Sequence, residues 1–171
     1  MRNFGLGVLI TLVFTAGVAY TAQKSDSDVL REVRDRAEIE DLMWRYTRAL
    51  DTNDAAAYAA TYTADGQFSA GTNATKGREA LTKMIADLRS NRAEQEAKGV
   101  RRPPLYHMTA NHAITFLSKD SARVDAYYLT ASPAAGQETP LRVAAVGRSV
   151  DELVRQNGRW LIKSRNVAPT N

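Results

Sequence analysis

One change of period constrains this chain more than any other feature. Apolar residues recur at helical spacing up to about residue 97 and at strand spacing from residue 106 onward. Leu30, Val33, Ala37, Ile39, Leu42, Met43, Tyr46 and Leu50 form one stripe with charges between them, which predicts a long amphipathic helix from Val29 to about Leu50. Asp51-Thr52-Asn53-Asp54 breaks it, and Asn53 or Asp54 caps a second, alanine-rich helix over 55–62 with Tyr58 and Tyr62 on one face. A turn at 63–66 leads into a short strand at 67–70. Gly77 precedes a third helix, 78–97, whose buried stripe is Leu81, Met84, Ile85 and Leu88 and whose distal end is polar.

Four strands follow, at 106–117, 123–130, 141–155 and 159–167. Hairpin turns fall at 118–120 and at Gln156-Asn157-Gly158, and a longer loop at 132–140. The strand at 141–155 approaches 50 Å if extended at about 3.4 Å per residue, so it must twist and bend, and Gly147 offers a place. Helices first and antiparallel strands afterwards predict an α+β domain. Three N-terminal helices pack on a strongly curved, mostly antiparallel sheet around a central cavity.

The N-terminus reads as a separate unit. Arg2 precedes sixteen charge-free residues, 4–19, which are short for a membrane span and normal for a signal-peptide core. Cleavage after Ala19 or Ala22 would leave a polar leader at 23–28 and a domain at 29–168, exported to the periplasm or beyond. Retention as an N-terminal anchor is the alternative. There are no cysteines, which removes disulfides, thiolate metal sites and cysteine nucleophiles. The formal charge of +4 becomes +3 without Arg2, and it is too diffuse for nucleic-acid binding.

Few residues can carry chemistry. There are two histidines, and strict alternation puts His107, Thr109, Asn111 and Ala113 on one strand face and Met108, Ala110, His112 and Ile114 on the other. His107 is either a hydrogen-bonded strand histidine or a base. His112, with apolar neighbours on its own face, reads as structural. Asp51 is either a turn carboxylate or the partner that orients a histidine and stabilises its imidazolium. Arg165, alternating with Leu161, Lys163 and Val167, is either an ion-pair partner or a fixed cation in a pocket. Tyr46, Tyr58 and Tyr128, with Asn111, are candidate pocket walls, and Trp44 and Trp160 read as core or subunit contacts. Neither a nucleotide loop nor a metal-ligand spacing is present, so no cofactor and no metal are expected.

The segments RAEIEDLMWRYTRALDTNDAAAYAATYTADGQF (36–68), KGREAL (76–81), YHMTANHAITFLSKDSARVDAYYL (106–129) and VDELVRQNGRWLIKSRNV (150–167) resemble the SnoaL-like branch of the nuclear transport factor two-like superfamily. The resemblance implies a cone-shaped fold assembled as homodimers or homotrimers. Within the branch the pattern is most similar to hexachlorocyclohexane dehydrochlorinase and scytalone dehydratase, whose Asp–His pair acts as base in a cofactor-free elimination. It places that pair on Asp51 and His107 and the dehydrochlorinase's cavity arginine on Arg165, without transferring a substrate. The expectation is a lyase or isomerase acting on a small hydrophobic or aromatic molecule. The alternatives are a non-catalytic ligand-binding pocket and an assembly module that uses the sheet face.

Overall fold

A computed structural model describes residues 24–100, 103–133 and 141–169. The expected signal segment at 1–22, Gln23, Arg101, Arg102 and the loop at 134–140 lie outside the described residues. Helix α1 runs Asp26–Asp51. It starts three residues before the apolar stripe because Ser25 caps it. The Ser25 Oγ accepts the N–H of Asp28 at 3.2 Å, and Asp26 and Asp28 meet the positive end of the helix dipole. Residues 26–28, expected in a leader, are therefore the first helical turn. Ile39, Leu42, Met43, Tyr46 and Ala49 are buried, whereas Leu30 and Val33 are exposed.

Helix α2, Ala55–Ala60, is capped by Asp54, whose Oδ1 accepts the N–H of Ala57 at 2.9 Å. It is two residues shorter than expected because Tyr62 opens β1, Tyr62–Ala70. A hairpin then adds β2, Asn73–Lys76, a short and mostly exposed strand without alternation that could announce it. Helix α3, Arg78–Ala97, has the expected bounds. The remaining strands are β3 Tyr106–Ser118, β4 Ser121–Ser132, β5 Arg142–Gln156 and β6 Arg159–Asn166. Asn157 and Gly158, at φ 50° and 73°, make the tight β5–β6 turn expected of an Asn-Gly pair.

The six strands form one mixed sheet in the order β2-β1-β6-β5-β4-β3, with β1 and β6 parallel and the other pairs antiparallel. The sheet corrects the expectation of strong curvature around a central cavity. It is open, with β2 and β3 as opposite edges, and it is neither closed nor strongly curled. Bulky side chains hold helices and sheet apart. Tyr46, Tyr58 and Tyr62 pack with centroids 5.3–6.2 Å apart, and the Arg165 guanidinium lies 4.5 Å from the Tyr46 ring. All four are at most 3% exposed, so the middle of the layer is core. Leu81, Ile85, Val124, Leu153, Trp160 and Ile162 complete it.

Two bulges decide which residues face that core. In β3 the register passes from Ala110↔Tyr127 to Ala113↔Asp125, so Asn111 and His112 together oppose Ala126. Asn111 takes φ 56° and is exposed. The alternation shifts by one, and His112, Ile114 and Phe116 continue the half-buried face begun by His107 and Thr109. In β6 the register passes from Leu153↔Ile162 to Glu152↔Ser164, leaving Lys163 as the extra residue. Arg165 therefore faces inward with Trp160 and Ile162 rather than alternating with Leu161 and Lys163.

Candidate active site

Helix α1 delivers Asp51 in its last turn. Thr52 ends the helix by returning both its N–H and its hydroxyl to the Arg48 carbonyl, at 3.1 and 2.9 Å, and Asn53 turns away at φ 51°. Asp51 is thus held at a fixed exit angle. His107 is the second residue of β3, at the end of the sheet edge that α1 reaches. One oxygen of Asp51, Oδ1, accepts the backbone N–H of His107 at 3.0 Å and faces its ring Nδ1 at 2.6 Å. An ionised carboxylate only accepts, so the short contact requires the proton on Nδ1, and the basic lone pair then lies on Nε2. The two side chains keep 26% and 13% of their surface, enough to meet a ligand and little enough to stay oriented.

Both line a cleft of about 470 Å³. Leu50, Leu88, Pro103 and Leu105 supply its apolar walls, and Asn53, Asn91, Arg92, Glu94 and Gln95 its polar ones. None of these nine was named as a site residue from the sequence, although the stretch 90–104 was expected to shape a pocket mouth. The signal lay in α3, where the stripe Leu81–Ile85–Leu88 continues at helical spacing to Asn91, Arg92 and Gln95. That face turns polar where the core ends and the cleft begins.

None of the four expected pocket walls borders this cleft. Tyr46 and Tyr58 are core, and burial pushes the Tyr58 hydroxyl far above its ordinary pKa, so it acts as a neutral hydrogen-bonding group, 3.1 Å from the Tyr62 hydroxyl. Tyr128 is half-buried and donates its hydroxyl to the Val167 carbonyl at 3.1 Å. Asn111 is on the bulge.

Arg165, expected either as an ion-pair partner or as a fixed cation in a pocket, is found in an ion pair. It pairs with Asp151, its cross-strand neighbour, and both are buried. Burial alone would depress the Arg165 pKa, but the surrounding tyrosine oxygens and Asp151 outweigh it and hold the guanidinium charged. Burial pushes Asp151 up to about 6 against the pull of Arg165. No hydrogen bond or ion pair joins Arg165 to Asp51 or His107. His112 has a buried, unpartnered Nε2, and burial lowers its pKa. No group of three or more His, Asp or Glu is brought together in metal-binding form among the described residues.

No curated protein matches the chain. Solved structures do. An NTF2-like protein of cystatin-like fold from Novosphingobium aromaticivorans is 25% identical, covering 85% of this chain and 88% of its own at a TM-score of 0.68. A provisional scytalone dehydratase of the same organism is 25% identical over 84% and 89% of the two chains, with a TM-score of 0.64. LinA, at 20% identity over 84% and 90% and a TM-score of 0.65, shares the fold. These structures share the overall fold described above, and the SnoaL-like domain pattern matches residues 31–166, from the second turn of α1 to the last residue of β6. By that match the chain belongs to the SnoaL-like domain family.

Proposed function

We propose that the protein is a cofactor-independent lyase or isomerase in which His107, oriented by Asp51, removes a proton from carbon. The observation that carries this reading is the double acceptance by Asp51 Oδ1, from the ring and from the backbone of the same histidine. It sets the tautomer and the ring direction together, which is what a positioned base requires. Proton transfer to Nε2 makes an imidazolium whose charge faces the carboxylate. The C–H electron pair becomes a new π bond, and a β-leaving group departs with its own pair. In an isomerisation the proton returns at another carbon. The likeness to the provisional scytalone dehydratase supports the elimination arm.

The test is exchange of acidic C–H for deuterium in D₂O, followed by proton NMR over small cyclic ketones and β-hydroxy ketones. His107→Ala should abolish enzyme-dependent exchange and Asp51→Asn should slow it by about 10²–10⁴. Wild-type rates no faster than those of His107→Ala refute the mechanism.

A second copy of the chain fits the outer sheet face. Met108, Leu129 and Val146 form one rung across β3, β4 and β5, flanked by Tyr106 and Tyr127. Met108, Tyr127 and Val146 are 46%, 59% and 71% exposed. This contiguous apolar surface supports homo-oligomer assembly.

A further inference from the structure

The geometry points to Asn91 and Gln95 of α3 as specificity-determining residues that read a neutral oxygen group, a carbonyl or hydroxyl, on the molecule presented to His107. The inference rests on the dyad cleft being the substrate site, and it names the class of compound that site takes.

Helix α3 keeps one face toward the rest of the protein along its length, but the chemistry of that face changes partway. Leu81 and Ile85 are fully buried in the core. One turn on, Leu88 is 49% exposed and borders the cleft, and Asn91 and Gln95 follow on the same face, also bordering it. The ion pairs along this helix, Lys83–Asp87 and Arg92–Glu96, are joined at i,i+4 spacing. The side chains of Asn91 and Gln95 hydrogen-bond to no other described residue. Asn53, held at φ 51° just past Asp51, adds a third carboxamide to the cleft lining.

A carboxamide carries two N–H donors and one carbonyl acceptor and no charge. Carboxamides lining the same cleft as a base thus match a ligand with an uncharged oxygen beside the carbon to be deprotonated. Their N–H groups donate to a carbonyl, and their oxygens accept from a hydroxyl. The apolar remainder of such a ligand lies on Leu50, Leu88, Pro103 and Leu105. A pure hydrocarbon would strip water from these amides and return nothing, which disfavours its binding.

The test compares 2-tetralone with tetralin, which has the same fused rings but no carbonyl, by ligand-observed NMR titration. Wild-type protein should bind the ketone at least about tenfold tighter, the worth of one or two neutral hydrogen bonds. The double variant Asn91→Leu/Gln95→Leu should bring the two affinities within about twofold. Both positions border solvent on a helix, and leucine is a good helix former, so circular dichroism should show an unchanged fold. His107→Ala should keep the ketone preference. A wild-type preference below about threefold, a preference surviving in the double variant, or binding of neither probe overturns the inference. Preference without C–H exchange would instead reject the proton-abstraction mechanism and leave the carboxamide assignment standing.

Discussion

Gly147→Ala should destabilise the protein far more than a glycine-to-alanine change in a strand normally does. Gly147 pairs directly with Tyr128 across β4 and β5, and the tyrosine ring lies down over it. A Cβ built at Gly147 falls 2.6 Å from the Tyr128 Oη, 2.8 Å from Cζ and 2.9 Å from Cε1. Carbon atoms do not approach so closely, so the ring must lift. Lifting it breaks the bond from the Tyr128 hydroxyl to the Val167 carbonyl, 3.1 Å long, which ties β4 to the chain after β6. Overpacking costs about 1–3 kcal/mol and the lost bond about 0.5–1.5 kcal/mol, so the sum is about 1.5–4.5 kcal/mol. That is a large share of the roughly 5–15 kcal/mol available to a domain of this size.

The assay is urea unfolding of four proteins: wild type, Gly147→Ala, Tyr128→Ala and the double variant. With the ring gone the three nearest atoms that the added methyl strikes are removed. Its cost should vanish, and it should even stabilise by up to about 0.4–1 kcal/mol through the unfolded chain. Tyr128→Phe, which keeps the ring and loses only the hydroxyl, should leave most of the Gly147→Ala penalty in place. A penalty under about 0.5 kcal/mol in wild type, or an equal penalty with and without the ring, refutes the steric argument.

Asp151 and Val146 give two further outcomes. Because the folded-state pKa of Asp151 is raised from 3.8 to about 6, the native state holds the proton more tightly than the unfolded chain. Stability from this group is therefore complete below about pH 4 and lost as pH rises through about 6, a change on the order of 2–3 kcal/mol. Asp151→Asn should remove that component from urea midpoints measured between pH 4 and 7, and an unchanged profile counts against it. Val146→Lys, at the centre of the apolar outer face, should reduce the molar mass in light scattering to that of one chain. A mass equal to wild type would place any self-association elsewhere.

Much of the fold was legible because its signals are local. Helix α3 has the expected bounds because Gly77 punctuates its start and a regular stripe runs through Leu81 and Ile85. The Asn157-Gly158 turn needs only two residues able to adopt positive φ. Asp51 and His107 were singled out because a helix break and one of two strand histidines are visible in the chain and because both fall on segments shared with the family. Their contact spans 56 positions, and the structure shows it formed. By contrast, β2 is short and exposed, and no periodic pattern encodes it.

What the sequence alone determined is therefore the order and type of most elements and the break after α1, with the family resemblance pointing to Asp51 and His107 as a pair. What only the tertiary structure decided is facing and depth. Strand alternation has a period of two, so a single extra residue inverts every side chain beyond it. The bulge at Asn111 and His112 removes Asn111 from the inner face and installs His112. The bulge at Lys163 carries Arg165 into the core against Asp151. Whether a strand bulges depends on how its neighbours twist and register, which no local window contains. The cleft is a product of packing in the same sense. Its walls come from the end of α1, one face of α3 and the approach to β3, and only the folded chain brings Asn91 and Gln95 into one cleft with His107.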